Sequence, residues 1–312
     1  MLRFCFVLTV VSAAGSAASA AGPGRGASAP QEAPRYPVDV GGVALDVVVT
    51  DQKGRFVPGL KADDFRVLDQ GVPQELSFFI ASRTPVTVVV LLDSSASVRS
   101  TMRSVQKAAN RFIDKLARGD RALIGFFHER VVFGPGFTED MQEHSAMIKR
   151  MRPQRSTHLY DALVESLAKL APVTKRKALL VFSDGEDQGS RASRQDVLEA
   201  ARRSHASVYT VGLVGWSADH GMHTNQGLLE EIASSTGGRA FFPGNEKETL
   251  AAFDRVRAEL HSQYRMGYIP PRSEGGGEQW REVRVELTRH EDLVVRSRRG
   301  YYSRPQQGPD GP

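Results

Sequence analysis

Between Pro85 and about Phe242, the chain alternates short apolar runs with segments of helical periodicity. Val86 to Leu92 is broken only by Thr87, and Ala178 to Ser183 is almost wholly apolar. Such runs are typical of strands buried on both faces of a parallel sheet. Leu159 to Leu170 instead repeats its apolar residues every three or four positions, as an amphipathic helix does. Alternating strands and helices predict an α/β domain with a mostly parallel sheet covered by helices.

The segments on both sides of this domain have β character. The strand candidates are Val43 to Thr50, Phe65 to Leu68, Leu76 to Ile80, Arg265 to Ile269, Arg281 to Leu287 and Leu293 to Arg298. Each flank alone is too small for a stable sheet module, and the ends of an α/β domain commonly lie close together. We therefore predict that the flanks pair into one β-sandwich-like module. Two separate β appendages are the competing arrangement.

The first 20 residues have the layout of a secretory signal peptide. Arg3 precedes the apolar run Phe4 to Val11, and small residues follow up to Ala18-Ser19-Ala20. This order predicts cleavage near Ala20 and a secreted or periplasmic protein. The run is too short to cross a bilayer, which takes roughly 20 apolar residues. The predicted organisation is a signal peptide (1–20), a flexible leader (21–37), an N-terminal β segment (38–84), the α/β domain (85–264), a C-terminal β segment (265–304) and a disordered tail (305–312).

Composition excludes several classes of site. The only cysteine is Cys5, inside the predicted signal peptide. The exported chain would therefore have neither disulfides nor cysteine metal ligands. The net charge of +5 is mild for 312 residues. The basic clusters at 175–177 and 296–304 lack an accompanying aromatic-basic motif, so we predict no nucleic-acid partner.

Polar residues follow the two most apolar strands. Asp93 ends the first strand and is followed by Ser95 and Ser97, while Asp184 ends the second strand and Thr157 precedes a helix. In an open parallel sheet, ligands bind at the carboxyl ends of the strands, where these residues are expected to meet. Hydroxyl and carboxylate oxygens suit a hard divalent cation, and the lack of a soft ligand speaks against zinc or copper. The sequence DSSAS alone is also ordinary as a helix N-cap, but three such loops together favour a metal site.

This order of motifs resembles the metal-ion-dependent adhesion site of von Willebrand factor type A (VWA) domains. A hydrophobic strand leads to DxSxS, a threonine precedes LYDAL, and a second strand ends in SDG. The resemblance implies a Rossmann-like fold and a site made of Asp93, Ser95, Ser97, Thr157 and Asp184. It also implies Mg²⁺ or Mn²⁺, with Ca²⁺ less favoured, bound directly by the hydroxyls and often through water by the aspartates. An Asp or Glu of a protein partner would complete the coordination, without catalysis.

The flanking sequences are similar to a family of secreted bacterial VWA-related proteins. The matching stretches are VVVTDQKGRFVPGLKADDFRVLDQGVPQELSFF before the domain and YRMGYIPP, WREVRVELTRHEDLVVRSRRGYY after it. The function of that family is poorly defined, so this resemblance adds architecture more than mechanism. One departure is that relatives often have Gly-Gly before the threonine, where this chain has Arg155-Ser156.

Two other functions stay open at this stage. The main alternative is a structural component of an envelope or secreted assembly, with a metal that only stabilises the fold. A metal-assisted hydrolase is less favoured, because Ser183 lacks a GxSxG elbow and neither His128 nor His158 is paired with a nucleophile by a recognised spacing. The sequence does not specify the partner or the oligomeric state.

Four further polar sites are interpreted as structural. They are Asp161 as a carboxylate on the helix dipole, Glu186 and Asp187 as residues that shape a loop, and His220 with His223 as part of a surface loop.

Overall fold

A computed structural model describes residues 42–81, 83–154, 156–212, 226–271 and 277–303 of the chain. The predicted signal peptide, leader and tail, and the pair His220 and His223, lie outside the described residues. Within the described ranges, no helix combines the length and the apolar character needed to cross a membrane.

The N-terminal flank forms strands. They are β1 (Val43–Thr50), β2 (Phe65–Asp69), β3 (Val72–Gln74) and β4 (Phe78–Ile80). Strands β2 and β3 are joined by Gln70 and Gly71, whose φ angles of 51° and 80° are those of a tight hairpin turn. The predicted strand from Leu76 to Ile80 is shorter than expected, and β3 was not predicted.

The central domain alternates strands and helices as predicted. Its strands are β5 (Val86–Asp93), β6 (Arg121–Phe127), β7 (Val131–Phe133), β8 (Arg176–Ser183), β9 (Ser207–Gly212) and β10 (Ala240–Phe241). Its helices are α1 (Met102–Asp114), α2 (Gln142–Arg150), α3 (Leu159–Leu170), α4 (Arg194–Ser204), α5 (Gln226–Ser235) and α6 (Glu246–His261).

These strands form one sheet in the order β10-β9-β8-β5-β6-β7. Their pairings are parallel except that of β6 with the edge strand β7. Strands β5 and β8 are neighbours, and Leu92 pairs with Phe182. Asp93 and Ser183, which follow these two residues, therefore reach the same edge of the sheet. The Rossmann-like α/β prediction is confirmed.

Helices cover both faces of this sheet, which explains the continuous apolar runs. Val88 and Val90 pack on the side of α1 and α6, whereas Val89 and Leu91 pack on the side of α3 and α4. These four residues are fully buried. The β5 run therefore has no solvent-facing side, as its sequence predicted.

The C-terminal flank supplies the remaining described strands. They are β11 (Tyr264–Tyr268), β12 (Trp280–Leu287), β13 (Val294–Arg296) and β14 (Gly300–Tyr302). They join the N-terminal strands in two antiparallel sheets, β13-β1-β11-β4 and β14-β12-β2-β3. Each sheet contains strands from both flanks, so the predicted module built from the two ends of the chain is confirmed. Strand β11 begins at Tyr264, one residue before the boundary predicted for the C-terminal segment.

One core and one buried polar network hold this module together. The core contains Leu45 and Phe65 from the N-terminal flank and Met266 from the C-terminal flank. Asp69 is fully buried. Its carboxylate accepts hydrogen bonds from the hydroxyls of Tyr268 (2.9 Å) and Tyr301 (2.8 Å) and pairs with the guanidinium of Arg281 (2.8 Å). The network therefore joins the two flanks.

Candidate metal centre

Asp93 is held through both of its carboxylate oxygens. It is the last residue of β5 and is fully buried. Its Oδ1 accepts a hydrogen bond from the backbone N–H of Ser95 (2.8 Å), and its Oδ2 accepts one from the Ser183 hydroxyl (2.7 Å). The Ser183 oxygen in turn accepts a bond from the N–H of Gly185 (3.1 Å). The end of β5 is thus tied to the end of β8.

The hydroxyls of Ser95 and Ser97 lie together beside Asp93. Their oxygens are 2.8 Å apart; Ser95 is buried and Ser97 is exposed. The backbone and hydroxyl of Ser94 both donate to the carbonyl of Phe127 (2.9 and 2.8 Å). The carbonyl of Ser94 accepts a bond from the N–H of Gln154 (2.8 Å). This loop is therefore fixed to β6 and to the loop that carries Thr157.

Thr157 and Asp184 lie on two loops that contact each other. Both residues are buried. The carbonyl of Thr157 accepts a bond from the N–H of Gln188 (2.8 Å), four residues after Asp184. The carboxylate of Asp184 accepts a bond from the N–H of Glu186 (3.1 Å). The structure therefore brings the loops of all five predicted ligand residues to one rim of the sheet.

The electrostatics of this rim leave negative charge unbalanced. Burial, together with the nearby carboxylate of Asp184, raises the pKa of Asp93 to about 7, although hydrogen bonds from Ser95 and Ser183 act in the opposite direction. Among the described residues, no Lys, Arg or His forms an ion pair with Asp93 or Asp184. Two buried carboxylates beside two hydroxyls form an all-oxygen donor set, which fits a hard divalent cation.

Hydroxyl oxygens are essential to that fit. Within the described part of the chain, no cluster of three or more His, Cys, Asp or Glu side chains is arranged for a metal. The two aspartates alone would be too few ligands, so a cation at this rim would need the predicted hydroxyl residues Ser95, Ser97 and Thr157 as well.

Two other carboxylates near these loops, those of Asp161 and Asp187, already bind protein groups. Asp161 lies in the first turn of α3, as predicted, but its carboxylate also accepts bonds from the N–H groups of Arg191 and Ala192. Asp187 accepts bonds from the N–H of Tyr160 and the hydroxyl of Ser190. These cross-loop bonds were not predicted, because they depend on how distant segments meet in space.

The two histidines predicted near this rim do lie together. The backbone N–H of His158 donates to the backbone carbonyl of His128 (2.7 Å). Burial is the main cause that lowers the pKa of His128. Ser183, which the sequence suggested only as a weak nucleophile candidate, is fully buried and donates its hydroxyl to Asp93. Its role in holding Asp93 was not predicted.

We expect Ser183→Ala to weaken Mn²⁺ binding. Groups that orient a metal ligand typically contribute about 10–100-fold to affinity, and Ser183 is one of the two residues whose hydrogen bonds hold the Asp93 carboxylate. Calorimetric titration measures the effect. Ser166→Ala is the matched control, because Ser166 is also fully buried but its hydroxyl has no hydrogen-bond partner among the described residues. Equal Mn²⁺ affinities in the two variants would contradict this role of Ser183.

Comparison with known proteins identifies related sequences and folds. A family model for the von Willebrand factor type A domain matches residues 87–255. An uncharacterized protein of Synechocystis, sll0103, is 26% identical over 205 residues, covering 61% of this chain and 47% of that protein. The chain thus aligns with about half the length of this relative.

Among solved structures, a von Willebrand factor type A protein from Catenulispora acidiphila has a TM-score of 0.50 at 12% identity, covering 80% of this chain and 71% of that chain. The vWF domain of the type V pili tip protein Mfa5 from Porphyromonas gingivalis has a TM-score of 0.48 at 14% identity, covering 58% of this chain and 96% of that chain. Proximal thread matrix protein 1 from the mussel byssus, with a zinc-occupied metal-ion-dependent adhesion site (MIDAS) motif, has a TM-score of 0.49 at 14% identity. The match covers 61% of this chain and 50% of that chain.

Proposed function

The protein belongs to the von Willebrand factor type A domain family, because the family match spans more than half of its 312 residues, and from this premise we propose that it binds a protein partner through a divalent cation. The cation is Mg²⁺ or Mn²⁺, held by Asp93, Ser95, Ser97, Thr157 and Asp184. A carboxylate of an Asp or Glu on the partner completes its coordination.

The observation that carries this proposal is the pair of buried, uncompensated carboxylates of Asp93 and Asp184 beside the Ser95 and Ser97 hydroxyls. When bound, the cation supplies positive charge and a coordination position for an external oxygen ligand. Ser97 is exposed at this rim, so an external group has access there.

Binding without catalysis is supported by the state of the only hydroxyl first considered as a nucleophile. Ser183 is buried and engaged with Asp93, whereas nucleophilic catalysis requires an accessible hydroxyl beside a base. Export to the periplasm or the medium is part of the proposal, on the basis of the signal-like order of residues 1–20.

Metal-dependent capture of a partner tests this function. The exported protein is immobilised and exposed to the secreted and envelope proteins of its own organism in the presence of Mg²⁺, and bound protein is eluted with EDTA. We expect a partner that is retained by the wild type and lost with EDTA or with Asp93→Ala. Retention that survives both treatments would show that the partner does not use the cation.

The same assay separates the proposal from a purely structural metal. If the metal only stabilises the fold, EDTA should lower the thermal midpoint of the protein without releasing a partner. A specific ligand shifts apparent stability by mass action, so both mechanisms raise the midpoint when metal is added, and only partner release distinguishes them.

A further inference from the structure

We infer that Asp161 and Asp187 are positioning residues that set the affinity of the metal site by locking the Thr157 loop to the Asp184 loop. This inference rests on the proposed function. Neither carboxylate is placed as a metal ligand, because each already accepts hydrogen bonds from backbone N–H groups across the loop contact, and Asp187 also accepts one from the Ser190 hydroxyl of its own loop.

The first half of the lock is the start of α3. The first N–H groups of a helix have no partner within the helix, and the N-cap residue His158 makes no side-chain capping bond. The loop after Asp184 supplies the caps instead. The N–H of Tyr160 donates to Asp187 (3.1 Å), and the N–H of Asp161 donates to the Ser190 hydroxyl (3.1 Å).

In the second half of the lock, the loop after Asp184 donates hydrogen bonds to a carboxylate of α3. The carboxylate of Asp161 accepts bonds from the N–H groups of Arg191 (3.1 Å) and Ala192 (2.8 Å). Asp187 is itself held by the hydroxyl (2.6 Å) and the N–H (3.2 Å) of Ser190. Each loop therefore donates backbone N–H groups to a carboxylate of the other loop.

These bonds lie close in sequence to two of the proposed ligands. Asp187 follows Asp184 by three residues, and Asp161 follows Thr157 by four. The N–H of Gln188 adds a direct bond to the carbonyl of Thr157 (2.8 Å). A site whose ligands are fixed before the ion arrives loses less conformational freedom on binding, so its affinity is higher. Without the lock, Thr157 and Asp184 would have to be ordered by the metal itself.

Mn²⁺ titration of the full exported chain tests the inference. We expect Asp161→Ala and Asp187→Ala each to weaken binding by about 10-fold, the lower end of the effect of residues that orient metal ligands. Asp161→Asn should restore part of the affinity, because its single amide oxygen can still accept from Ala192. Asp196→Ala is the matched control: this carboxylate accepts bonds from Ser193 within its own helix cap and joins no second loop.

The rate of Mn²⁺ release to a chelator is the readout that a merely structural role would not change. Differences in affinity between related complexes arise mostly from dissociation rates, so release should accelerate by a similar factor in the two alanine variants. Wild-type affinity and release in Asp161→Ala and Asp187→Ala, in a protein whose Asp93→Ala variant no longer binds, would overturn the lock and leave the proposed function standing. If the wild type itself binds no Mn²⁺, the proposed function fails and the inference fails with it. Should either alanine variant not fold, Asp161→Asn and Asp187→Asn are titrated instead; because each keeps one acceptor oxygen, we expect a smaller loss of affinity that still exceeds that of Asp196→Ala, and no loss would overturn the lock.

Discussion

Asp93→Ala is expected to abolish Mn²⁺ binding and to leave the α/β domain folded. Asp93 is the carboxylate through which the ends of β5 and β8 are joined, and it is one of only two aspartates in the proposed ligand set. We expect the affinity to fall by more than about 100-fold, the upper limit typical of residues that act only through a ligand. The fold should tolerate the change, because removing a buried carboxylate also removes its repulsion with Asp184 and its desolvation.

Calorimetric titration and thermal melting together check this expectation. Saturating Mn²⁺ should raise the stability of the wild type, by about 2.7 kcal/mol at 100 times the dissociation constant, and should not change that of Asp93→Ala. Asp254→Ala is the control, because this carboxylate on α6 pairs with Arg111 of α1 and with Lys115, which directly follows α1, away from the three ligand loops in sequence. A variant that binds Mn²⁺ as tightly as the wild type would remove Asp93 from the ligand set.

Asp69→Ala is expected to destabilise the β module by about 3–5 kcal/mol, the usual cost of removing one partner of a buried ion pair. The change leaves the guanidinium of Arg281 without its carboxylate and deprives the hydroxyls of Tyr268 and Tyr301 of their acceptor. The two flanks should then separate more readily, because this network joins β2 to strands of the C-terminal flank.

Limited proteolysis locates the effect of Asp69→Ala. Cleavage between Val43 and Ile80 should accelerate, while Mn²⁺ binding at the α/β domain persists. Glu282→Ala is the control on the adjacent strand β12: its carboxylate is 64% exposed and 3.8 Å from Arg284, and exposed pairs contribute at most about 1 kcal/mol. If the N-terminal strands of Asp69→Ala are as well protected as those of the control, the network does not hold the flanks together.

The sequence predicts most of this fold because its strongest patterns are long. The predicted range of α3 agrees with the observed helix, since its apolar stripe is uninterrupted. Strands β3 and β14 were not predicted, because each contains a residue type that is unfavourable in strands: Pro73 in β3 and Gly300 in β14. The pairing of the flanks follows from their size and from the position of the domain between them, but no local pattern specifies the strand order within the two sheets.

In the candidate site, too, some features could be predicted from the sequence and others could not. Strand ends and loop spacing indicate a metal site at this rim, and the resemblance to VWA domains implies its five ligand residues. The contacts that hold these residues could not be predicted, because Ser183, Asp161 and Asp187 act across strands and loops that are distant in sequence. Ser156 is a related case: its φ of 69° lies in the left-handed region that favours glycine, at a position where resembling proteins often have glycine. The sequence alone identified that departure but not the backbone conformation behind it.

The pairing of the two flanks also leads us to expect an order of events during synthesis. Tyr301 bonds to Asp69 across 232 positions, and β1 finds both of its neighbours, β11 and β13, only at the far end of the chain. The N-terminal strands therefore have no partners until the C-terminal strands have been synthesised. Until then their edges are unpaired, and unpaired strand edges promote aggregation. Closing so long a loop is slow. Prior folding of the α/β domain shortens the loop, because Val86 and His261, near the two ends of that domain, are then parts of one compact structure. We therefore expect the β module to form after the α/β domain that is inserted within it.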